Sequence, residues 1–247
     1  MKVSVIVPVY NEKNTIEEII SKIKASELDK EIVIVDDGST DGTADILRSK
    51  FSNDKEMNLI FLEKNHGKGF AIRTALEHIK ADIVIMQDAD LEYNPADYIK
   101  LASPIIEGRA SVVYGSRFVK LNIFFYVWNW FWSKIRGREC SVGHIYLLNF
   151  LCIQILNLLV RILYGVKITD EATCYKAFKA DLLKSIKLEC VKFEFCPEIT
   201  AKVCKLGYGI YEVPISYYPR SSKHGKKINW KDGLMAIFTI LKYRLKD

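Results

Sequence analysis

The sequence predicts an α/β protein built on a mainly parallel sheet with helices on both faces. Two observations carry the fold class. Short apolar runs at residues 3–7, 32–35, 59–62 and 83–86 alternate with stretches of helical periodicity. Within each run the apolar residues are mostly consecutive, as in strands buried on both faces. A third observation concerns use. Residues 8–12, 36–43 and 87–92 are polar clusters, each at the carboxyl end of a strand, where ligands collect in open sheets of this class. One such cluster is a turn; three on one rim make a site.

The elements follow in order. Pro8 stops the first strand. A helix over 14–25 has Asn14 as N-cap, Glu17 and Glu18 in its first turn and an apolar stripe of Ile16, Ile19, Ile20 and Ile23. After the second strand, Asp41 or Thr43 caps a helix to about residue 51. Gly67-Lys68-Gly69 opens a helix to about residue 79; it lacks the full spacing of a phosphate loop and reads as a tight helix start, with Lys68 unassigned. A helix over 95–107 and a strand over 112–114 lead to Gly115-Ser116-Arg117. Residues 169–176 read as a polar loop. A helix over 193–206 carries Glu194 and Glu198 one turn apart and stops at Gly207. Residues 211–215 form an edge strand, as Pro214 suggests. A basic loop over 220–227 precedes a closing helix over 230–245 rich in Lys and Arg. There is no internal repeat and no low-complexity segment.

Bulk properties narrow the classes. A chain of 247 residues, 49% hydrophobic and 27% charged, is globular with an apolar lean. The net charge of +6 is modest, so no nucleic-acid partner is expected, while its sign suits phosphate-bearing ligands and an anionic membrane surface. Cysteines at 140, 152, 174, 190, 196 and 204 form no Cys-x-x-Cys pair, and neither they nor His66, His78, His144 and His224 have zinc spacing. The N-terminus shows no cleavable signal pattern, so a cytoplasmic setting with reduced thiols is the expectation.

Asp88-Ala89-Asp90 is the centre of the site. An apolar strand ending in two carboxylates two residues apart fixes the backbone and aims oxygens at one place. Mg²⁺ and Mn²⁺ take such sites, with few protein carboxylates and the rest water and phosphate oxygens. An acidic surface turn is the alternative.

After Gly115-Ser116-Arg117 the character of the chain changes. Residues 121–132 are dense in Phe, Tyr and Trp, Lys134, Arg136 and Arg138 follow, and 145–163 is a long apolar helical pattern with a thin polar stripe. The latter approaches the length of about 20 residues that spans a bilayer. A single span would, however, separate Asp88 and Asp90 from the later polar motifs. The preferred reading is a pair of amphipathic elements lying on a membrane, with the basic C-terminus facing anionic lipid. Packing on the sheet or in a homo-oligomer interface is the alternative.

Four motifs in order, Pro-Val-Tyr-Asn-Glu (8–12), Val-Asp-Asp-Gly-Ser-Thr-Asp-Gly-Thr (35–43), Gln-Asp-Ala-Asp-Leu-Glu (87–92) and Gly-Ser-Arg-Phe (115–118), together resemble the family-two inverting glycosyltransferases of GT-A fold. Thr-Asp-x-x-Thr-Cys-Tyr-Lys (169–176) and Arg-x₅-Lys (220–226) are similar to the dolichyl- or polyprenyl-phosphate sugar synthase branch. The resemblance covers essentially the whole chain. It implies one domain: a nucleotide-sugar-binding half over 1–118, amphipathic interface helices over 119–165, and an acceptor-side half over 166–247.

The resemblance also implies roles. Pro8, Tyr10, Asn11, Glu12 and Ala89 line the donor nucleotide, and Asp37 accepts from a base N–H. Asp88 and Asp90 hold the metal, with Glu92 beside them where the family often has Gln. Arg117, Arg220 and Lys226 bind phosphates, for which Arg offers bidentate contacts and Lys a point charge. Lys223 and Lys227 read as membrane-surface charge. Asp90, Arg117 and Asp170 are expected to be catalytic. The expected reaction moves a hexose from UDP-glucose or GDP-mannose to a polyprenyl or dolichyl phosphate on the inner face of the membrane. An ionised phosphate needs no strong base, whereas the alternative acceptor, a saccharide hydroxyl, does. Asp170, Glu194 and Glu198 are then the base candidates, the two glutamates reading equally as a solvated helix face. A sugar nucleotidyltransferase would carry a Gly-rich, Arg-bearing loop where Val-Tyr-Asn-Glu stands. A non-catalytic membrane-binding module is the remaining alternative.

Overall fold

The computed structural model describes residues 1–119, 147–220 and 230–246. The aromatic run over 121–132, Lys134, Arg136, Arg138 and the 221–229 segment with Lys223, Lys226 and Lys227 lie outside them.

Seven strands form one sheet in the order β3-β2-β1-β4-β6-β5-β7. They are β1 (Val3–Val9), β2 (Lys30–Asp36), β3 (Met57–Phe61), β4 (Ile83–Met86), β5 (Val112–Ser116), β6 (Lys176–Lys179) and β7 (Tyr211–Pro214). Pairing is parallel from β3 through β4 and between β5 and β7; β6 runs antiparallel to both its neighbours. The sheet carries α1 (Ile16–Lys24), α2 (Thr43–Phe51), α3 (Lys68–Leu76) and α4 (Tyr98–Ile106), the last preceded by a 3₁₀ turn at Pro95–Asp97. Three further helices, α5 (Leu147–Tyr164), α7 (Phe195–Lys205) and α8 (Trp230–Leu245), pack on one another; the short α6 (Ala180–Ser185) follows β6.

The apolar runs explain the core. Every residue of β4 and nearly all of β1 is buried, and the four isoleucines of α1 are fully covered. Helix α1 starts at Ile16 with Thr15 before it, one residue later than expected. Asp41 does meet α2, through the Thr43 N–H at 3.0 Å.

Pro8 does not end β1; it pairs with Val35 inside the strand. The register explains the tolerance. The pairing of β1 with β4 ends at Ile6 and Met86. The Ile6 carbonyl takes the Gln87 N–H, so Pro8, two residues on, faces the side where β4 has run out and no donor is needed.

Lys176, the last residue of the polar loop expected over 169–176, is the first residue of β6, and the strand itself has no counterpart among the sequence expectations. A lysine at each end hides it, yet Lys176 is fully buried. Its ammonium donates to the Glu171 carbonyl at 2.8 Å and lies 3.5 Å from the Tyr114 ring centroid.

Glu198, read either as a solvated helix residue or as a base, is neither. It is fully buried on α7, accepts the N–H groups of Glu189 and Cys190 at 2.7 and 2.6 Å, and pairs with Lys202. Glu194 accepts the Lys192 N–H at 2.7 Å. Removing the Glu198 carboxylate orphans two backbone donors, each costing on the order of 1–3 kcal/mol. Glu198→Ala is therefore expected to lose about 3 kcal/mol of stability, read as a lower urea midpoint with unchanged slope. An unshifted midpoint would contradict this bonding.

Candidate active site

The aligned registers bring the carboxyl ends of β1, β2 and β4 together, and with them residues 8–12, 36–43 and 87–92. The predicted convergence of three polar clusters on one rim is what the sheet builds.

The first two clusters hold each other. Asn11, at a left-handed φ of 51°, accepts the Thr40 N–H at 2.8 Å and donates its own N–H to Ser39 Oγ at 2.9 Å. Asp37 is 2% exposed and accepts from His66 N, Gly67 N and Asn65 Nδ2 at 2.7–2.9 Å. Its carboxylate thus ties the loop before α3 to β2, a structural duty the sequence reading did not foresee, leaving little of it for a base N–H. Gly38 makes the approach possible: its φ is 68°, and a Cβ there would stand 2.5 Å from the Lys64 carbonyl carbon. Pro8 and Tyr10 are half-buried on the same rim.

The third cluster is more crowded. Gln87 is buried and takes the hydroxyls of Tyr98 and Tyr175, both at 2.6 Å, which fixes the end of β4. Ala89 is buried. Asp90 Oδ1 accepts the Glu92 N–H at 3.1 Å, and Leu91 between them sits at a φ of 63°, a strained conformation for a branched side chain. Burial, then the charges of Asp88 and Glu92, raise the Asp90 pKa to about 7 against the opposing pull of Arg220.

Two cations answer this crowding. Lys68 Nζ lies 2.5 Å from Asp88 Oδ1. The Arg220 guanidinium reaches Asp90 Oδ2 at 3.0 Å and both oxygens of Glu12 at 3.0–3.3 Å. Lys68, unassigned in the sequence, is the residue the motif reading missed; its place at the very start of the helix that Gly67-Lys68-Gly69 opens was the available signal. Glu92 serves as an anchor for the segment that carries Arg220, accepting from Tyr217 Oη at 2.7 Å and Arg220 N at 2.8 Å.

The donor set fits a divalent cation of the Mg²⁺ or Mn²⁺ kind. Asp88 and Asp90 are hard oxygen donors on a fixed turn, and their mutual repulsion is the burden such a cation relieves. Among the described residues no three acidic, His or Cys side chains form a protein cage.

Arg117 and Asp170 stand apart from this cluster as a closed pair. Asp170 is fully buried and takes Nε and Nη2 of Arg117 at 2.7 Å each, and also its backbone N–H at 3.0 Å. Burial opposes the Arg117 charge, but Asp170 outweighs it and holds the guanidinium pKa well above its ordinary value. Glu212 fixes the loop by accepting from Thr169 N and Asp170 N. With both oxygens committed, Asp170 positions Arg117 and is not a free general base. Lys226 lies outside the described residues. Asp170→Leu leaves Arg117 buried without a partner and is expected to cost roughly 3–5 kcal/mol. The double variant with Arg117→Met should recover much of that loss in equilibrium unfolding; strictly additive losses would show that the pair is not coupled.

Comparison with known proteins follows this geometry. Residues 4–183 match the family described as Glycosyl transferase family 2. Over 219 residues the chain is 28% identical to Glycosyltransferase AglJ of Haloferax volcanii, covering 88% of this chain and 63% of that protein. It is 26% identical over 233 residues to the undecaprenyl-phosphate mannosyltransferase of Micrococcus luteus, covering 92% and 87%. It spans 51% of the undecaprenyl-phosphate 4-deoxy-4-formamido-L-arabinose transferase of Shewanella sediminis, with 29% identity. In fold it is similar to mannosyl-3-phosphoglycerate synthase from Rubrobacter xylanophilus, with a TM-score of 0.71 at 20% identity over 100% of this chain and 74% of that one. Glucosyl-3-phosphoglycerate synthase from Mycobacterium tuberculosis, in complex with Mn²⁺ and UDP-glucose, gives a TM-score of 0.67 at 18% identity over 98% of this chain and 78% of that one. The fold is thus of the GT-A kind, and with the match running over most of its length the chain belongs to glycosyl transferase family 2.

Proposed function

We propose that this chain moves a hexose from a nucleoside-diphosphate sugar, UDP-glucose or GDP-mannose, to a polyprenyl or dolichyl phosphate on the inner face of a membrane. The displacement is single and inverting, and all three parts of the chain act as one domain.

The observation that carries the lipid acceptor is a pair of exposed apolar stripes. Leu151, Ile155, Leu158 and Ile162 lie at helical spacing along the open side of α5, and Leu234, Phe238, Leu241 and Leu245 do the same on α8. The two helices bury Leu156, Val160 and Ile240 between them, and Tyr164 donates to the Ile240 carbonyl at 2.7 Å. Arg161, Lys242 and Arg244 stand exposed on the same helices. At its start α5 packs through Phe150 and Ile153 on Phe118 and Tyr217, beside Arg117. An apolar surface with basic residues, joined to the rim, suits a peripheral protein that collects a lipid phosphate. No helix among the described residues is long and apolar enough to cross a membrane. Curated relatives carry names of undecaprenyl-phosphate sugar transferases, which supports the same acceptor class.

Asp88 and Asp90 would hold Mg²⁺ or Mn²⁺. Bound there, such a cation stabilises charge on the departing diphosphate, a contribution of several kcal/mol. The chain's own residues do the rest. Arg220 and Lys226 neutralise phosphate oxygens, and Arg117, held by Asp170, offers a fixed cation toward the acceptor side. Pro8 and Tyr10 line the nucleoside. The acceptor phosphate is ionised near neutral pH and attacks without a strong base. That requirement agrees with the engagement of Asp170, Glu194 and Glu198 in other bonds. A saccharide hydroxyl would need a base that these three residues, so engaged, do not offer.

Labelled UDP-glucose or GDP-mannose, supplied with Mn²⁺ and polyprenyl phosphate in detergent micelles, should yield a labelled lipid. Asp90→Ala is expected to lower the rate about 100-fold or more. Transfer to a saccharide with no dependence on polyprenyl phosphate would replace this reading, and full activity of Asp90→Ala would remove Asp90 from it. In flotation with anionic vesicles, Leu158→Glu combined with Phe238→Glu should abolish co-migration; undiminished co-migration would reject the two stripes as the membrane face.

A further inference from the structure

The rim holds two cations on the carboxylates assigned to a metal. Lys68 projects from the first residue of α3. A helix N-terminus carries partial positive charge and disfavours a cation, so the helix itself does not draw the ammonium to this place. Asp88 does, at 2.5 Å, with Cys174 Sγ at 3.3 Å as the other near contact. Lys68 and Asp88 are only 18% and 21% exposed, so water does little to screen them. Arg220 shows the same arrangement on Asp90, and its other partners are Glu12 and Glu92.

Lys68 holds Oδ1 of Asp88 and Arg220 holds Oδ2 of Asp90, so a divalent cation that uses either oxygen competes with a resident cation. Like charges a few ångströms apart in a poorly screened site also repel strongly. We infer that Lys68 and Arg220 are resident counter-ions that compete with a divalent cation for Asp88 and Asp90. The inference rests on the reading of Asp88 and Asp90 as metal ligands. Its consequence is that the rim alone is a poor metal site. Metal entry weakens both contacts; Arg220 keeps Glu12, while Lys68 is left as a positive group at the rim that needs an anion. A diphosphate meets that need, so the metal and the nucleotide each favour the other's binding. Lys68 is here a positioning residue, acting through Asp88.

The test uses Mn²⁺ alone with the full chain, reading free Mn²⁺ by its paramagnetic resonance signal. Lys68→Met removes the charge while keeping the length of the side chain. It is expected to tighten Mn²⁺ binding in the absence of nucleotide by about tenfold, whereas Lys68→Arg should retain the weak affinity of the natural chain. Mn²⁺ should also raise the melting temperature of Lys68→Met more than that of the natural chain, because the variant leaves Asp88 without its cation. Should Lys68→Met fail to fold, Lys68→Gln, which keeps a donor and drops the charge, carries the same expectation. Unchanged or weaker Mn²⁺ affinity in the charge-free variant, with Asp88→Asn abolishing binding, overturns the counter-ion role and leaves the metal site standing. Mn²⁺ binding that is indifferent to Asp88→Asn overturns the metal reading itself, and this inference with it.

Discussion

Carboxylates gathered at the edge of a buried apolar sheet must each find a partner, and much of the structure around the rim answers to that constraint. An unpaired buried carboxylate is costly, while a paired one is tolerable when its lone pairs are filled. Glu12 and Asp90 share Arg220, Asp37 takes the N–H groups of His66 and Gly67, Glu92 takes Tyr217 and Arg220, and Asp170 takes Arg117. These partners come from distant parts of the chain. The loop before α3, the loop before β6 and the segment after β7 are therefore held where they are by charge, while the sheet beneath is held by apolar burial.

How much of this could be read beforehand follows from the same division. Strands β1, β2 and β4 declare themselves because two buried faces require uninterrupted apolar residues, and the motifs at their ends are local in sequence. Strand β6 does not, since Lys176 looks solvated until its carbonyl and ring partners are known. Glu198 fails for the same reason: its partners at 189 and 190 lie in a loop whose path no periodicity encodes. The three polar clusters do meet on one rim, yet the bonding of their side chains was not legible. Asp37 spends its oxygens on the chain itself, Asp170 on Arg117, and Lys68 carried no role until Asp88, 20 residues away in sequence, was found against it. Sequence spacing shows which side chains share a face; it does not show which charge neutralises which.

The three helices α5, α7 and α8 follow other rules. Their shared core is small, around Leu156, Val160, Ile168, Cys204 and Ile240, and large apolar side chains stay outside it. In a helical layer meant only to be soluble those positions would be polar. Their apolar character is a cost in water that a lipid surface would remove.

The path of the chain around β6 has a consequence for how such a protein can vary. The chain leaves the sheet after β5 and rejoins it through Thr169 and Asp170. These two points are clasped to the exit by Ser116 and Arg117, with the hydroxyls of Ser116 and Thr169 2.7 Å apart. Everything between is a detour that starts and ends at one place. The entropy of closing such a detour grows only with the logarithm of its length. Chain closure therefore limits the length of the 120–146 stretch only weakly, whereas α5 is tied back to the clasp by Asn157, which donates to the Thr169 carbonyl and accepts the Glu171 N–H.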